Sequence, residues 1–172
     1  MMETLPNQKM HYVVATGIVV KEGKYLIVKR APYEKAFPNR WTVPGGKLES
    51  KEFTQRKPDA GTLWYNVIED LVEREVKEEV GLEIEKIGYV TSLAYIREDG
   101  IPTIIISLHA DYKSGEVKLC NALTEHAWIT LSQAKNYDLI EGIYEELAML
   151  EHKLKTGKMP RWEPSFSQGN YA

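Results

Sequence analysis

Apolar residues gather in short runs in the first third of the chain, then recur at helical spacing. "YVVATGIVV" (12–20) and "YLIVKR" (25–30) are rich in β-branched residues. "KEGK" (21–24), built around Gly23, joins them as a hairpin turn. Pro32 and Pro38 break "APYEKAFPNR" (31–40) into a loop. "WTVPGGKLE" (41–49) reads as a short strand running into a glycine turn. The polar stretch 50–62, with Pro58 and Gly61, reads as loop. Residues 63–80 favour helix, and Gly81 is a natural stop. Asn66 followed by Glu69 has the spacing of a capping box, a second way to start that helix.

Two runs, 83–98 and 101–113, flank "DG" (99–100) and predict a long hairpin. "TIIISLHA" (103–110) is too short to cross a membrane and reads as a buried strand. "HAWITL" (126–131) predicts one more short strand. Residues 139–154 repeat apolar side chains at helical spacing and should pack on the sheet. The pattern predicts an α/β (α+β) fold in a single domain over 1–155, with an aperiodic tail over 156–172.

Composition narrows the function classes. The chain has 172 residues, long enough for one sizeable core. A net charge of -3 argues against a dominant nucleic-acid surface. One cysteine, Cys120, rules out an intramolecular disulfide framework, so a reducing cytoplasmic setting is the plain reading. No secretory pattern or membrane-length apolar run is seen, so neither membrane nor nucleic acid is expected as a partner. The four histidines show no metal-ligand spacing, and nothing near Cys120 marks it as activated.

The candidate chemistry lies in "REVKEEVGL" (74–82). With Glu75 at zero on a wheel of about 100° per residue, Glu79 falls near 40° and Glu78 near −60°. Ile68, Leu71 and Val72 fall at about 20°, −40° and 60°. The acidic side therefore continues the azimuth of the apolar stripe. It does so at the negative end of the helix dipole. Like charges at i,i+4 cost a few tenths of a kcal/mol when exposed, and more when desolvated. A divalent cation would reverse that sign, because hard cations take oxygen ligands. The wheel by itself leaves a solvated Glu/Lys-rich helix equally open.

The upstream residues tip the balance. Gly46, Glu52, Arg74, Glu75, Val76, Glu78, Glu79, Gly81 and Leu82 match the fixed positions of G-x5-E-x7-R-E-U-x-E-E-x-G-U, with U aliphatic. The sequence thus resembles the Nudix hydrolase family over about residues 11–155. It departs in one place. Residues 53–73 separate Glu52 from Arg74, twenty-one positions where the family has seven. The excess of fourteen reads as an insertion before the helix, around 53–66.

The resemblance implies a mixed sheet sandwiched between the box helix and a C-terminal helix. It also implies Mg²⁺- or Mn²⁺-dependent hydrolysis of a diphosphate linkage in a nucleoside diphosphate derivative. Glu75, Glu78 and Glu79 are the expected metal ligands, with the Gly45 carbonyl as a further oxygen. Glu75 doubles as a catalytic group, and Arg74 is expected to orient it. Gly46, Glu52 and Gly81 complete the motif. Arg30 and Arg40 are candidates for phosphate contact. Trp41, among the aromatics near the box, is a candidate for stacking on a base. The family often recruits a carboxylate from outside the box. Glu116 ranks first, Glu125 second, and the Glu98–Asp99 turn third.

The insertion, with Trp64 and Tyr65 at the mouth of the site, is expected to shape the substrate pocket or a subunit contact. A homodimer is left open. The other readings weighed are a non-catalytic Nudix-like nucleotide-derivative sensor and a plain interaction domain with a coincidental acidic helix.

Overall fold

A computed structural model describes residues 10–167. The chain folds as β1 (Tyr12–Lys21), β2 (Lys24–Arg30), β3 (Trp41–Thr42) and β4 (Gly45–Lys47), then α1 (Ser50–Thr54) and α2 (Val67–Val80). It continues as β5 (Glu83–Ile96), β6 (Pro102–Ser114) and β7 (Leu123–Ile129), then α3 (Leu131–Ala134) and α4 (Ile143–Thr156), with a 3-10 turn over Pro164–Phe166.

The seven described strands form one mixed sheet in the order β3-β2-β1-β6-β5, with β4 added to β1 and β7 to β2. β1 and β6 run parallel, and β5 and β6 form the long antiparallel hairpin expected from the sequence. β1 and β2 are in register only next to their turn, at Val20↔Tyr25 and Lys21↔Lys24. Beyond it the strands splay. β1 then pairs with β4, and β2 with β3 and β7. This splay brings the two glycines of β4 beside α2.

Both faces of the sheet are covered, which explains why its strands read as apolar runs. On one face Ala15, Val19, Leu26 and Val28 pack against Leu71, Val72, Val76 and Val80 of α2. On the other, Ile18, Tyr25 and Ile27 pack against Ile143, Leu147 and Leu150 of α4. Alternate residues of β1 and β2 thus serve opposite cores. The sheet lies between the acidic helix and the C-terminal helix, as expected.

The structure corrects several local readings. The glycine pair is extended strand paired with Ala15 and Thr16, not a turn. Residues 50–54 form a short helix within the stretch read as loop. The long helix begins at Val67, not near residue 63, because Trp64 and Tyr65 are held in loop hydrogen bonds. Asn66 sits there at φ 57 with no side-chain cap, so the capping box does not form. Gly81 ends the helix as expected, at φ 74, its N–H donating to the Lys77 carbonyl. The last helix starts at Ile143, after a short helix at 131–134 that the pattern did not show. Of the tail, Met159 and Phe166 pack on the α4-side core, and 168–172 lie outside the described residues.

Candidate active site

Arg74 is the hub. Its Nη2 donates to Glu52 Oε1 at 2.8 Å and to Glu75 Oε1 at 2.7 Å, while Nη1 donates to Glu78 Oε2 at 2.7 Å. Glu52 lies on α1 and the others on α2. The inserted residues therefore leave the first motif glutamate in contact with the second half of the motif. Glu52 and Glu75 are mostly buried here, whereas Glu78 is largely exposed.

Glu79, one turn beyond Glu75, points at β4. Its Oε2 accepts the Gly45 N–H at 3.0 Å. Burial pushes its pKa up to about 7, against the Gly45 hydrogen bond; the charges of Arg30 and Glu34 also reach it, the first lowering and the second raising. Burial likewise raises Glu75, although Arg74 opposes it. Neither glycine of β4 has positive φ. A Cβ on Gly45 would overlap the Ala15 carbonyl, and one on Gly46 would overlap the Glu75 carboxylate. Close approach, not a turn, favours glycine here: a side chain at Gly45 would strike backbone, and one at Gly46 would displace the Glu75 carboxylate.

The donor chemistry, carboxylate oxygens, is the kind a hard divalent cation takes. Glu52 Oε2 is buried with no hydrogen-bond partner, and Glu75 and Glu79 are desolvated beside one another. As placed, no three Asp, Glu, His or Cys groups among the described residues converge on one point. The Arg74 guanidinium occupies the space between Glu52, Glu75 and Glu78, offsetting one of their three charges.

The other candidates are dispersed. Arg30 lies near Glu79 and is held by Glu34 Oε2 at 2.8 Å and by the Ala36 carbonyl at 2.7 Å. Arg40 is drawn to the α4 side, pairing with Asp138 at 2.9 Å and donating to the Leu139 carbonyl. Trp41 stacks edge-on with Tyr137, centroids 4.9 Å apart, in the α4-side core. Glu116 is exposed, its backbone carbonyl beside Gly81 at the end of α2. Glu125 pairs with Lys29 at 2.7 Å. Glu98 and Asp99 lie at the tip of the β5–β6 hairpin, where Asp99 pairs with Arg97. The sequence reading missed Glu34. Its one signal is the i,i+4 spacing from Arg30, which Pro32 obscured.

A cavity of about 610 Å³ opens beside Glu52, Arg74 and Glu75, between α1 and the start of α2. Of the inserted residues, Phe53, Gln55 and Arg56 line it.

This arrangement agrees with what the chain matches. The NUDIX domain profile covers residues 11–150. A protein named nucleoside triphosphatase NudI, from Klebsiella pneumoniae (strain 342), is 23% identical over 137 residues, covering 73% of this chain and 86% of that protein. A NUDIX hydrolase from Alicyclobacillus acidocaldarius superposes with a TM-score of 0.68 at 14% identity, over 90% of this chain and 100% of that one. The NUDIX domain of Shewanella oneidensis NrtR, complexed with ADP ribose, gives 0.65 at 14%, over 85% and 90%. The chain belongs to the NUDIX family. It is a hydrolase acting on phosphoric anhydride bonds. No described helix is long and apolar enough to cross a membrane.

Proposed function

We propose that the protein hydrolyses a diphosphate linkage in a nucleoside diphosphate derivative, using Mg²⁺ or Mn²⁺. The observation that carries this is the packing of four carboxylates, Glu52, Glu75, Glu78 and Glu79, around Arg74 and the β4 glycines. A polyanionic substrate would be repelled by that cluster without a bridging cation. Glu75, Glu78 and Glu79 would hold the ion, with the Gly45 carbonyl as a further ligand and Glu52 behind them. The bound ion would neutralise phosphate charge and lower the pKa of its water.

The chain's own residues do the rest. Arg74 fixes the direction of Glu75, the catalytic carboxylate. The Gly45 N–H orients Glu79. Arg30, close to Glu79, meets the phosphates. Arg40 would meet a nucleoside from the α4 side, where it lines a cavity of about 290 Å³, and Trp41 would take part only by leaving its packing on Tyr137. Glu116, from the loop after β6, is the recruited carboxylate. The setting is cytoplasmic, and a homodimer is the assembly to test.

The decisive experiment is turnover of a panel of nucleoside triphosphates, dinucleoside polyphosphates and nucleoside diphosphate sugars with Mg²⁺ or Mn²⁺. Metal-dependent release of a mononucleotide supports the reading. Tight binding without turnover would make this a nucleotide-derivative sensor instead.

A further inference from the structure

The inserted segment is a built structure, not a slack loop. Arg56 clamps Asp59 through both carboxylate oxygens, at 2.7 and 2.8 Å, and donates to the Tyr65 carbonyl at 2.9 Å. Asp59 in turn accepts the Tyr65 N–H at 2.8 Å. The Trp64 indole donates to the Arg56 carbonyl, and its ring packs on Phe53 at 5.5 Å between centroids. A tight turn at Ala60–Leu63 closes the far end. Arg56 also reaches Asp70 of α2 at 3.5 Å, so the loop is tied to the helix beside the 610 Å³ cavity that both line.

Resting on the hydrolase reading above, we propose that this cavity is a subsite for the part of the substrate beyond the scissile diphosphate, and that this part is a neutral, hydroxyl-rich group such as a sugar. Three observations carry it. The first is size. The volume lies within the range of about 300–1,000 Å³ typical of small-molecule sites. The pyrophosphate lost from a triphosphate would leave most of it to water.

The second is charge. Lys47, Lys51, Arg56 and Arg74 face Glu49, Glu52, Asp70 and Glu75, four cations against four anions. A further phosphate would meet as many carboxylates as cations. Hydroxyl groups suit such a wall, because each both donates and accepts. The third is the floor. Leu48 and Val67 offer aliphatic surface, and Phe53, the one aromatic lining the cavity among the described residues, already has its ring packed on Trp64. A base would find no free ring to stack on, whereas the C–H face of a sugar would find apolar contact.

The test compares ADP-glucose with ATP, so that the base is the same in both. Gln55 lines the cavity from an exposed position, so Gln55→Trp would fill it from the wall. Where that change unfolds the loop, Val67→Trp at the start of α2 replaces it, filling the cavity from the other side without changing charge. The wild type should favour ADP-glucose over ATP at least tenfold in kcat/KM. Either variant should lower the ADP-glucose value at least tenfold more than the ATP value. Calorimetry without divalent metal should show ADP-glucose binding more tightly than ADP in the wild type, with the difference lost in the variant. Equal effects on both substrates, together with equal metal-free affinity for ADP-glucose and ADP, overturn the subsite. Failure of the hydrolase reading looks different: neither compound is cleaved, while the affinity difference and its loss in the variant remain and uphold the subsite.

Discussion

Arg74 Nη2 lies 2.8 Å from Glu52 Oε1, although twenty-one residues separate the two in sequence. The insertion loops out and returns without disturbing the pair. Glu52→Gln keeps the shape and removes the charge. Arg74 should then lean more on Glu75, and kcat should fall by roughly tenfold or more, with smaller change in KM. Steady-state kinetics check this. Unchanged kcat would show that Glu52 is only a packing residue.

Glu79→Gln should lower turnover by about 100-fold or more, the scale of losing a metal ligand or acid–base group. The fold should persist, and thermal stability without metal should hold or rise, because a desolvated charge is gone. Metal titration by calorimetry should show weakened binding. Normal turnover by this variant would contradict the metal-clamp assignment.

Gly46→Ala probes close approach. The added methyl would collide with the Glu75 carboxylate and swing it away from Arg74. Metal affinity should drop at least about tenfold, the usual scale for disturbing a ligand's support. Circular dichroism should be unchanged. An alanine variant with full metal affinity would show that Glu75 has room to move.

Glu116→Gln and Glu125→Gln separate the candidates for the outside carboxylate. Glu116 is exposed near the end of α2, and Glu125 is paired with Lys29. The Glu116 variant should lose more than about tenfold in metal-dependent turnover, and the Glu125 variant little. The reverse order would move the role to Glu125.

Glu146 predicts a pH effect on stability. It is buried on α4, accepts the Ser107 hydroxyl at 2.6 Å, and has its pKa pushed up to about 7 by burial, against that hydrogen bond and with the Glu145 charge adding to the rise. An unfolded glutamate titrates near 4.5. Between these values the folded state holds a proton that the unfolded state has released. Stability is therefore greatest below about pH 4.5 for this group, falls as pH rises toward 7, and is level above it. Glu146→Gln should flatten that slope and stabilise the protein at pH 8 by up to a few kcal/mol. Melting temperatures of both forms across pH 5–8 test this, and parallel curves would refute it.

Much of this protein was legible in the chain. Apolar runs rich in β-branched residues marked the strands, and the 3.6-residue stripe of Ile68, Leu71 and Val72 set the face of the acidic helix, because those signals depend on local geometry. The spacing of Arg74, Glu75, Glu78 and Glu79 marked the motif, since one helix turn brings such residues together.

Tertiary structure decided the rest. The strand state of Gly45 and Gly46 depends on the splay between β1 and β2, a long-range pairing that no local pattern encodes. The meeting of Glu52 with Arg74 depends on the insertion folding on itself through Arg56, Asp59 and Tyr65. The diversion of Arg40 and Trp41 to Tyr137, Asp138 and Leu139 arises from contacts between residues about a hundred positions apart. Residue type and spacing fix a helix face. Only packing across the chain fixes which faces meet.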